Sequence, residues 1–195
     1  MLIGISGVAG CGKDLFTELL IEKFKEKSLK SKRFALADIL KEESRGLIMH
    51  KYGIDPTNCS REDKERIRGE LVSFAKQKRI ESNGRYWIEK LQEKIKASEK
   101  LDYYLVSDLR YSEYDRDEVF WVKEENKGIL VHISKYFIEG CDVRPLLPAN
   151  SEENKNDPIL LDKADYHVLW SHGCQNPESR AQSFFEWLIL NEEVK

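Results

Sequence analysis

The chain has 195 residues, 41% of them hydrophobic and 34% charged, which is enough to bury the core of one domain and excludes wholesale disorder. Its 32 Lys and Arg against 35 Asp and Glu, a formal charge of -3, argue against a general nucleic-acid binder and leave phosphate recognition to local positions. No apolar run approaches the roughly 20 residues that span a bilayer, and the N-terminus lacks the features of a cleavable leader, so a cytoplasmic protein without membrane attachment is expected.

Leu2 to Ser6 is a short apolar run, Gly7 to Gly12 brings three glycines, and Leu15, Phe16, Leu19, Leu20 and Phe24 follow at helical spacing. This order predicts a strand, a glycine turn and a helix. A second strand is expected over Arg33 to Leu36, with a helix beginning near Asp38. Ser60 is placed to cap a helix over Arg61 to Lys78, whose apolar side is Leu71, Val72, Phe74 and Ala75. Asn83-Gly84 marks a turn before a helix over Tyr86 to Lys96, in which Trp87, Ile88, Leu91 and Ile95 share a face.

Tyr103 to Ser107 reads as a third strand, followed by an acidic segment from Asp108 to Glu125, and Ile129 to Ile133 as a fourth. From Lys135 to Asp162 periodicity fails, and Pro145, Pro148 and Pro158 with a polar run predict a long loop of the kind that forms a lid or stays disordered. Tyr166 to Trp170 is the fifth strand and Pro177 to Leu190 the last helix. Strands alternating with helices imply a parallel sheet with crossovers on both faces. Cys11, Cys59, Cys141 and Cys174 form no C-x-x-C pair, and His50, His132, His167 and His172 no H-x-x-x-H pair, so free thiols are expected and a metal site around His167, His172 and Cys174 is disfavoured.

Gly7-Val8-Ala9-Gly10-Cys11-Gly12-Lys13 satisfies the first seven positions of G-x-x-x-x-G-K-[ST], between a strand and an amphipathic helix. Backbone N–H groups converge on phosphate oxygens only where side chains do not obstruct, and the helix N-terminus adds positive partial charge. Gly7, Gly10, Cys11, Gly12, Lys13, Asp14 and Leu15 are therefore candidate nucleotide ligands, with Lys13, expected to be exposed, reaching the β- and γ-phosphates. Asp14 stands where Ser or Thr places a hydroxyl on magnesium. Its carboxylate either takes the metal or is a helix-start acid favoured by the dipole.

Asp108 and Arg110 fall at the carboxyl end of a predicted parallel strand, where open α/β sheets bind ligands; an internal ion pair fixing the following helix is the other reading, compatible with the first. Arg68 and Arg79 lie in a helix of mixed charge, as acceptor contacts or as a solvated face. Tyr86 and Trp87 are core or stacking residues. Arg144, within the predicted lid, is a candidate lid cation or a plain surface arginine.

These segments together resemble the P-loop nucleoside monophosphate kinase superfamily, and within it two groups that carry Gly-Lys-Asp, the phage-type deoxynucleoside monophosphate kinases and the animal-type phosphomevalonate kinases. Leu36-Ala37-Asp38-Ile39-Leu40-Lys41 is similar to their Leu-x-Gly-Pro-Leu-Lys stretch, with Asp38-Ile39 replacing Gly-Pro. Arg68 to Arg79 resembles the helix bordering the acceptor site, and Gly84-Arg85-Tyr86-Trp87-Ile88 the start of the next helix in the phage enzymes. Tyr103-Tyr104-Leu105-Val106-Ser107-Asp108-Leu109-Arg110 is similar to the Val-x-Asp-x-Arg strand end of both, and Asn150-Ser151-Glu152 to a Ser-Glu element after the lid in the phage group.

The resemblance implies a three-layer α/β P-loop kinase fold, one domain over residues 1–195, with a five-stranded parallel sheet, an acceptor-binding helical part near 38–100 and a lid near 135–160. It implies ATP on Gly7 to Lys13 with Mg2+ bridging the phosphates. Asp38, Lys41, Arg68, Arg79, Trp87, Asp108 and Arg110 would lie on the acceptor side, Asp108 orienting Arg110 or the metal shell and Arg144 closing over the transferring group. The activity implied first is ATP-dependent phosphoryl transfer to a deoxynucleoside monophosphate, giving the diphosphate and ADP. Phosphomevalonate kinase, favoured by length and the Arg68 to Arg79 spacing, is the alternative, and a nucleotide-binding switch without a metabolite substrate is the third. The partner expected is a small phosphorylated acceptor, with neither nucleic acid nor membrane.

Overall fold

The apolar N-terminal run becomes the central strand of the sheet. In the computed structural model, which describes residues 1–173 and 176–192, β1 (Leu2–Ser6) pairs in parallel with β3 (Tyr103–Leu109) on one side and β4 (Ile129–Glu139) on the other. Every residue of β1 is buried, as a run without alternation requires when both faces are covered. β2 (Ser31–Phe34) flanks β3 and β6 (Tyr166–Ser171) flanks β4, both in parallel. The five parallel strands therefore run β2-β3-β1-β4-β6, as the alternating pattern predicts.

Side chains alternate across β1 into two cores. Ile3 and Ile5 meet α1 (Lys13–Glu26) and α7 (Pro177–Glu192) through Phe16, Leu20, Phe24, Phe184 and Leu188. Leu2 joins the opposite core with Val106, Leu130, Trp121 and the face of α4 (Arg85–Ala97) formed by Trp87, Ile88, Leu91 and Ile95. Each such fully buried side chain contributes about 1.5–3 kcal/mol relative to exposure. A third cluster, Ile48, Ile54, Ile67 and Leu71, joins α2 (Leu36–Tyr52) to α3 (Arg61–Glu81). Ser60 caps α3 by accepting from the Asp63 N–H at 3.0 Å. After β3, α5 (Glu118–Phe120) continues into a π-helical turn, Trp121–Glu125.

The segment expected as a long loop is ordered differently. β4 continues to Glu139, turns at Gly140 with a φ of 63°, and returns as the short antiparallel β5 (Asp142–Pro145), with Phe137 opposite Arg144. Periodicity fails there because the hairpin leaves the core, and burial along β4 fades from complete to exposed. Residues Ser151–Lys163 then form α6, capped by Asn150. Its buried face is Glu153, Asn156 and Leu160, a helical spacing of three and four residues disguised by two polar members. Among the described residues no helix is long and apolar enough to cross a membrane. Cys174 lies outside the described residues, and among those described no cluster of metal-ligating side chains forms.

Candidate active site

The glycine turn connects β1 to α1 at the carboxyl end of the central strand, the address where parallel sheets bind ligands. Gly7 has a φ of 132°, and a Cβ there would overlap the Ile133 carbonyl. Gly12, at φ 105°, has the Trp170 ring against the place of its missing side chain. Cys11 is fully buried, and burial pushes its thiol up while Lys13 opposes the shift.

Lys13 is 9% exposed, in contrast to the exposed lysine expected from sequence. Its ammonium donates to the Gly7 carbonyl at 2.7 Å and to the Val8 carbonyl at 2.9 Å. Folding back over its own loop is what takes it below the surface. Thr17 donates to the Lys13 carbonyl at 2.7 Å and so turns inward along α1.

Asp14 lies in the first turn of α1 with its side chain 78% exposed, 3.6 Å from Arg33. Arg33 also bonds Asp38 at 2.9 Å, and Asp38 lies 3.8 Å from Lys41. Arg33 thus connects the first turn of α1 with the first turn of α2, a link not recognised in the sequence. The signal was there, since Arg33 sits near the carboxyl end of β2 as Arg110 sits just past that of β3. Leu15 is exposed beside Asp14. A single exposed carboxylate, paired only loosely with Arg33 at 3.6 Å, suits a magnesium ion that draws its remaining ligands from phosphate and water.

Asp108 accepts from the Leu36 N–H at 2.9 Å and the Ala37 N–H at 2.8 Å. Both oxygens are engaged with the start of α2, where a carboxylate is favoured by the helix dipole. Its hydrogen bonds do not reach Arg110, and among the described residues the internal pair with Arg110 does not form. Burial pushes its carboxyl up, opposed by those N–H groups and by the charges of Arg110 and Arg33.

Arg110 follows β3 directly. Its backbone N–H donates to Glu118 at 2.6 Å and its guanidinium to Glu153 at 2.7 Å. Glu153 also accepts from Ala9 in the phosphate loop at 3.2 Å. Arg110 and the glycine loop are therefore joined through one carboxylate, a residue absent from the candidates above. An Asn at the cap of α6 with Glu three residues later was its visible signal.

Arg79 is buried and consumed by carboxylates, with Asp117 at 2.8 and 3.0 Å, Glu113 at 3.4 Å and Glu118 at 3.5 Å. Its guanidinium carbon lies 3.7 Å from the centroid of the Tyr111 ring. It braces α3 against the segment after β3 and leaves no free charge for an acceptor. Burial opposes its charge, but the carboxylates, Asp117 foremost, hold it fully protonated. Arg68 is exposed and pairs with Glu65 at 2.6 Å on the solvated face of α3. Trp87 is core: it donates to the Ala75 carbonyl at 3.2 Å and packs against Phe74. Tyr86 is half-buried and bonds Glu43 at 2.6 Å. Arg144 is 67% exposed on β5, 3.3 Å from Asp142 and 3.9 Å from Glu139.

The family model for phosphomevalonate kinase matches residues 5–127, from the phosphate loop through α2, α3, α4 and Arg110. The comparison with curated proteins returns no match. Among solved structures, shikimate kinase from Acinetobacter baumannii in complex with shikimate aligns over 100% of this chain and 95% of its own, with 16% identity and a TM-score of 0.50. Dephospho-CoA kinase from Campylobacter jejuni aligns over 96% of each chain, with 17% identity and a TM-score of 0.46. At such identity the likeness to the first is one of fold.

Proposed function

We propose, given that this chain belongs to the phosphomevalonate kinase family of P-loop kinases, that it transfers the γ-phosphoryl group of ATP to the phosphate of a small phosphomonoester, with a deoxynucleoside monophosphate as the first reading. The observation that carries phosphoryl transfer is the chain from Arg110 through Glu153 to the Ala9 N–H. It sets a cation, with donors left free among the described residues, beside the glycine loop, which supports an acceptor-side arginine next to a donor-phosphate loop.

Phosphoryl transfer demands positioning and charge neutralisation more than covalent chemistry by the protein. Gly7, Gly10, Cys11 and Gly12 present the loop to the donor phosphates, and Lys13 exchanges its loop carbonyls for phosphate oxygens. Asp14 would hold a magnesium ion, which when bound screens the β- and γ-phosphate charge. Arg110, with Lys41 at the start of α2, holds the acceptor phosphate. An acceptor phosphate oxygen forms the new P–O bond, the bond from the γ-phosphorus to the bridging oxygen breaks, and ADP departs with that electron pair. No general base is required, because the acceptor oxygen is already ionised. Residues 38–100 serve the acceptor, and residues 135–160, the hairpin and most of α6, serve as the lid that carries Arg144.

The acceptor reading is supported by what Arg79 and Arg68 do. A phosphorylated mevalonate carries a carboxylate that requires a cation beyond those on its phosphate, and Arg79 is already neutralised by buried acids. Tyr111, backed by Arg79, and Tyr86 offer flat faces of the kind that bases stack on. The second reading, 5-phosphomevalonate as acceptor, is favoured by the family match itself. ADP release measured with ATP and each deoxynucleoside monophosphate, 5-phosphomevalonate or no acceptor separates the readings. Turnover with phosphomevalonate alone reverses the ranking, and turnover that no acceptor stimulates leaves a nucleotide switch.

A further inference from the structure

Glu153 is a buried carboxylate with more partners than a helix cap requires. It sits in the first turn of α6, three residues after the Asn150 cap, whose side-chain oxygen accepts from the Glu153 N–H at 2.9 Å. A glutamate at that position ordinarily reaches back to one backbone N–H of its own helix start. Here one oxygen accepts from both Ala149 N–H at 3.1 Å and Ala9 N–H at 3.2 Å, and the other takes the Arg110 guanidinium at 2.7 Å. The residue is only 7% exposed. Burying a carboxylate is costly unless it is paired and hydrogen-bonded, and a cap at the helix surface would avoid that cost. The burial makes sense if all three partners must be held together.

Arg110 is the partner that gains most. Glu118 fixes its backbone and Glu153 fixes one end of its guanidinium, through Nη1. Nη2 and Nε have no protein partner among the described residues, and the side chain is 40% exposed. A guanidinium is a planar fork with five donors, so a fork pinned at one end presents the rest to a phosphate in a single orientation. Around the same turn of α6, Asn156 accepts from the Ser112 N–H at 3.1 Å, Lys76 of α3 reaches Glu152 at 3.3 Å, and Lys155 reaches Glu113 at 2.9 Å. The helix is thus docked on the segment that carries Arg110.

We infer that Glu153 is a positioning residue for phosphoryl transfer: it aims Arg110 at the acceptor phosphate and ties that aim to the phosphate loop and to α6. The inference rests on the reading of Arg110 as the acceptor-phosphate ligand. The contrary role for the same geometry is a block, in which the carboxylate competes with phosphate for Arg110 and the Ala9 N–H.

Steady-state kinetics of wild type, Glu153→Gln, Glu153→Asp, Arg110→Ala and the Glu153→Gln/Arg110→Ala double variant separate these roles. Glutamine keeps an oxygen for the two backbone N–H groups but loses the charge that holds the guanidinium. Positioning lowers kcat/KM for the acceptor by about 30-fold in Glu153→Gln while the KM for ATP moves less than about threefold, and Glu153→Asp recovers part of the loss. The double variant is then no worse than Arg110→Ala, because both changes remove one interaction. Additive losses, equal losses toward both substrates, or tighter acceptor binding in Glu153→Gln would overturn the inference. If wild type transfers to no acceptor, the proposed function fails by itself and a second readout decides on Glu153. Phenylglyoxal modification of Arg110, followed by peptide mass spectrometry, accelerates about fivefold in Glu153→Gln if the carboxylate holds the guanidinium, and an unchanged rate would refute that hold.

Discussion

Trp170 donates its indole N–H to the Cys11 carbonyl at 2.6 Å across 159 residues of sequence. A trans peptide sets the carbonyl of one residue opposite the N–H of the next. Holding the Cys11 carbonyl toward β6 therefore turns the Gly12 N–H the other way, and the proposed function has that side receive the donor phosphates. The ring also fills the space beside Gly12 and meets Phe16 edge-on at 6.3 Å, so the last strand of the sheet braces the loop made by the first.

Replacing Trp170 with Phe keeps an aromatic ring and removes the donor. The expected result is ATP affinity weakened by about 5- to 20-fold, with a stability loss of about 1 kcal/mol, the usual net worth of one buried hydrogen bond. Nucleotide titration paired with chemical denaturation checks this, and an unchanged affinity would leave the indole as packing alone. Gly12→Ala, which forces a Cβ into that ring, is expected to abolish nucleotide binding.

Under the proposed function, in which the Lys13 ammonium leaves its loop carbonyls for the transferring phosphate, Lys13→Met should lower turnover by about 100-fold or more. Because the Gly7 and Val8 carbonyls lose a buried donor, stability should also fall, by about 1–3 kcal/mol. Near-normal kcat in a variant with that stability loss would show that the lysine serves the loop and not the reaction.

The central strand, the glycine loop and the face of α4 were readable because apolar spacing and turn chemistry alone specify them. α6 was not, because its buried face consists of Glu153, Asn156 and Leu160, and two polar residues leave no apolar period to detect. The same holds for the site. Gly7 to Lys13 and Arg110 announce themselves by motif and strand end, whereas Asp108, Arg79 and Trp87 were separable only by their partners. Those partners, Leu36 and Ala37 for Asp108 and Asp117 for Arg79, lie 38 to 72 residues away, a distance over which sequence spacing carries no geometry.

Arg144 stands on the β4–β5 hairpin opposite Phe137, and its ion-pair partners among the described residues are Asp142 and Glu139. Such exposed pairs contribute at most about 1 kcal/mol, so Arg144→Ala should leave the thermal midpoint nearly unchanged. If the hairpin closes over the reacting phosphates, kcat should fall by about 10- to 100-fold with the KM for ATP little altered. Unaltered kcat in a stable variant would remove Arg144 from the machinery and make it a surface residue.

The cluster around Arg79 predicts a pH dependence of stability. Burial pushes the Glu118 carboxyl up to about 8, against the pull of Arg79 and with reinforcement from Asp117, while in the unfolded chain it returns to near 4.5. Between those values the folded protein binds a proton that the unfolded chain does not, so this group's stabilising contribution is complete below the unfolded value and is lost as pH rises toward the folded one. Glu118→Gln carries no such proton. Its stability relative to wild type should therefore improve steadily from about pH 5 to pH 8 and level off above, as read from denaturant midpoints across that range. Arg79→Met, by contrast, strands Asp117 without its counterion and should cost about 3–5 kcal/mol at neutral pH. Parallel curves for Glu118→Gln and wild type would mean that Glu118 is ionised throughout and that Arg79 balances two buried negative charges instead of one.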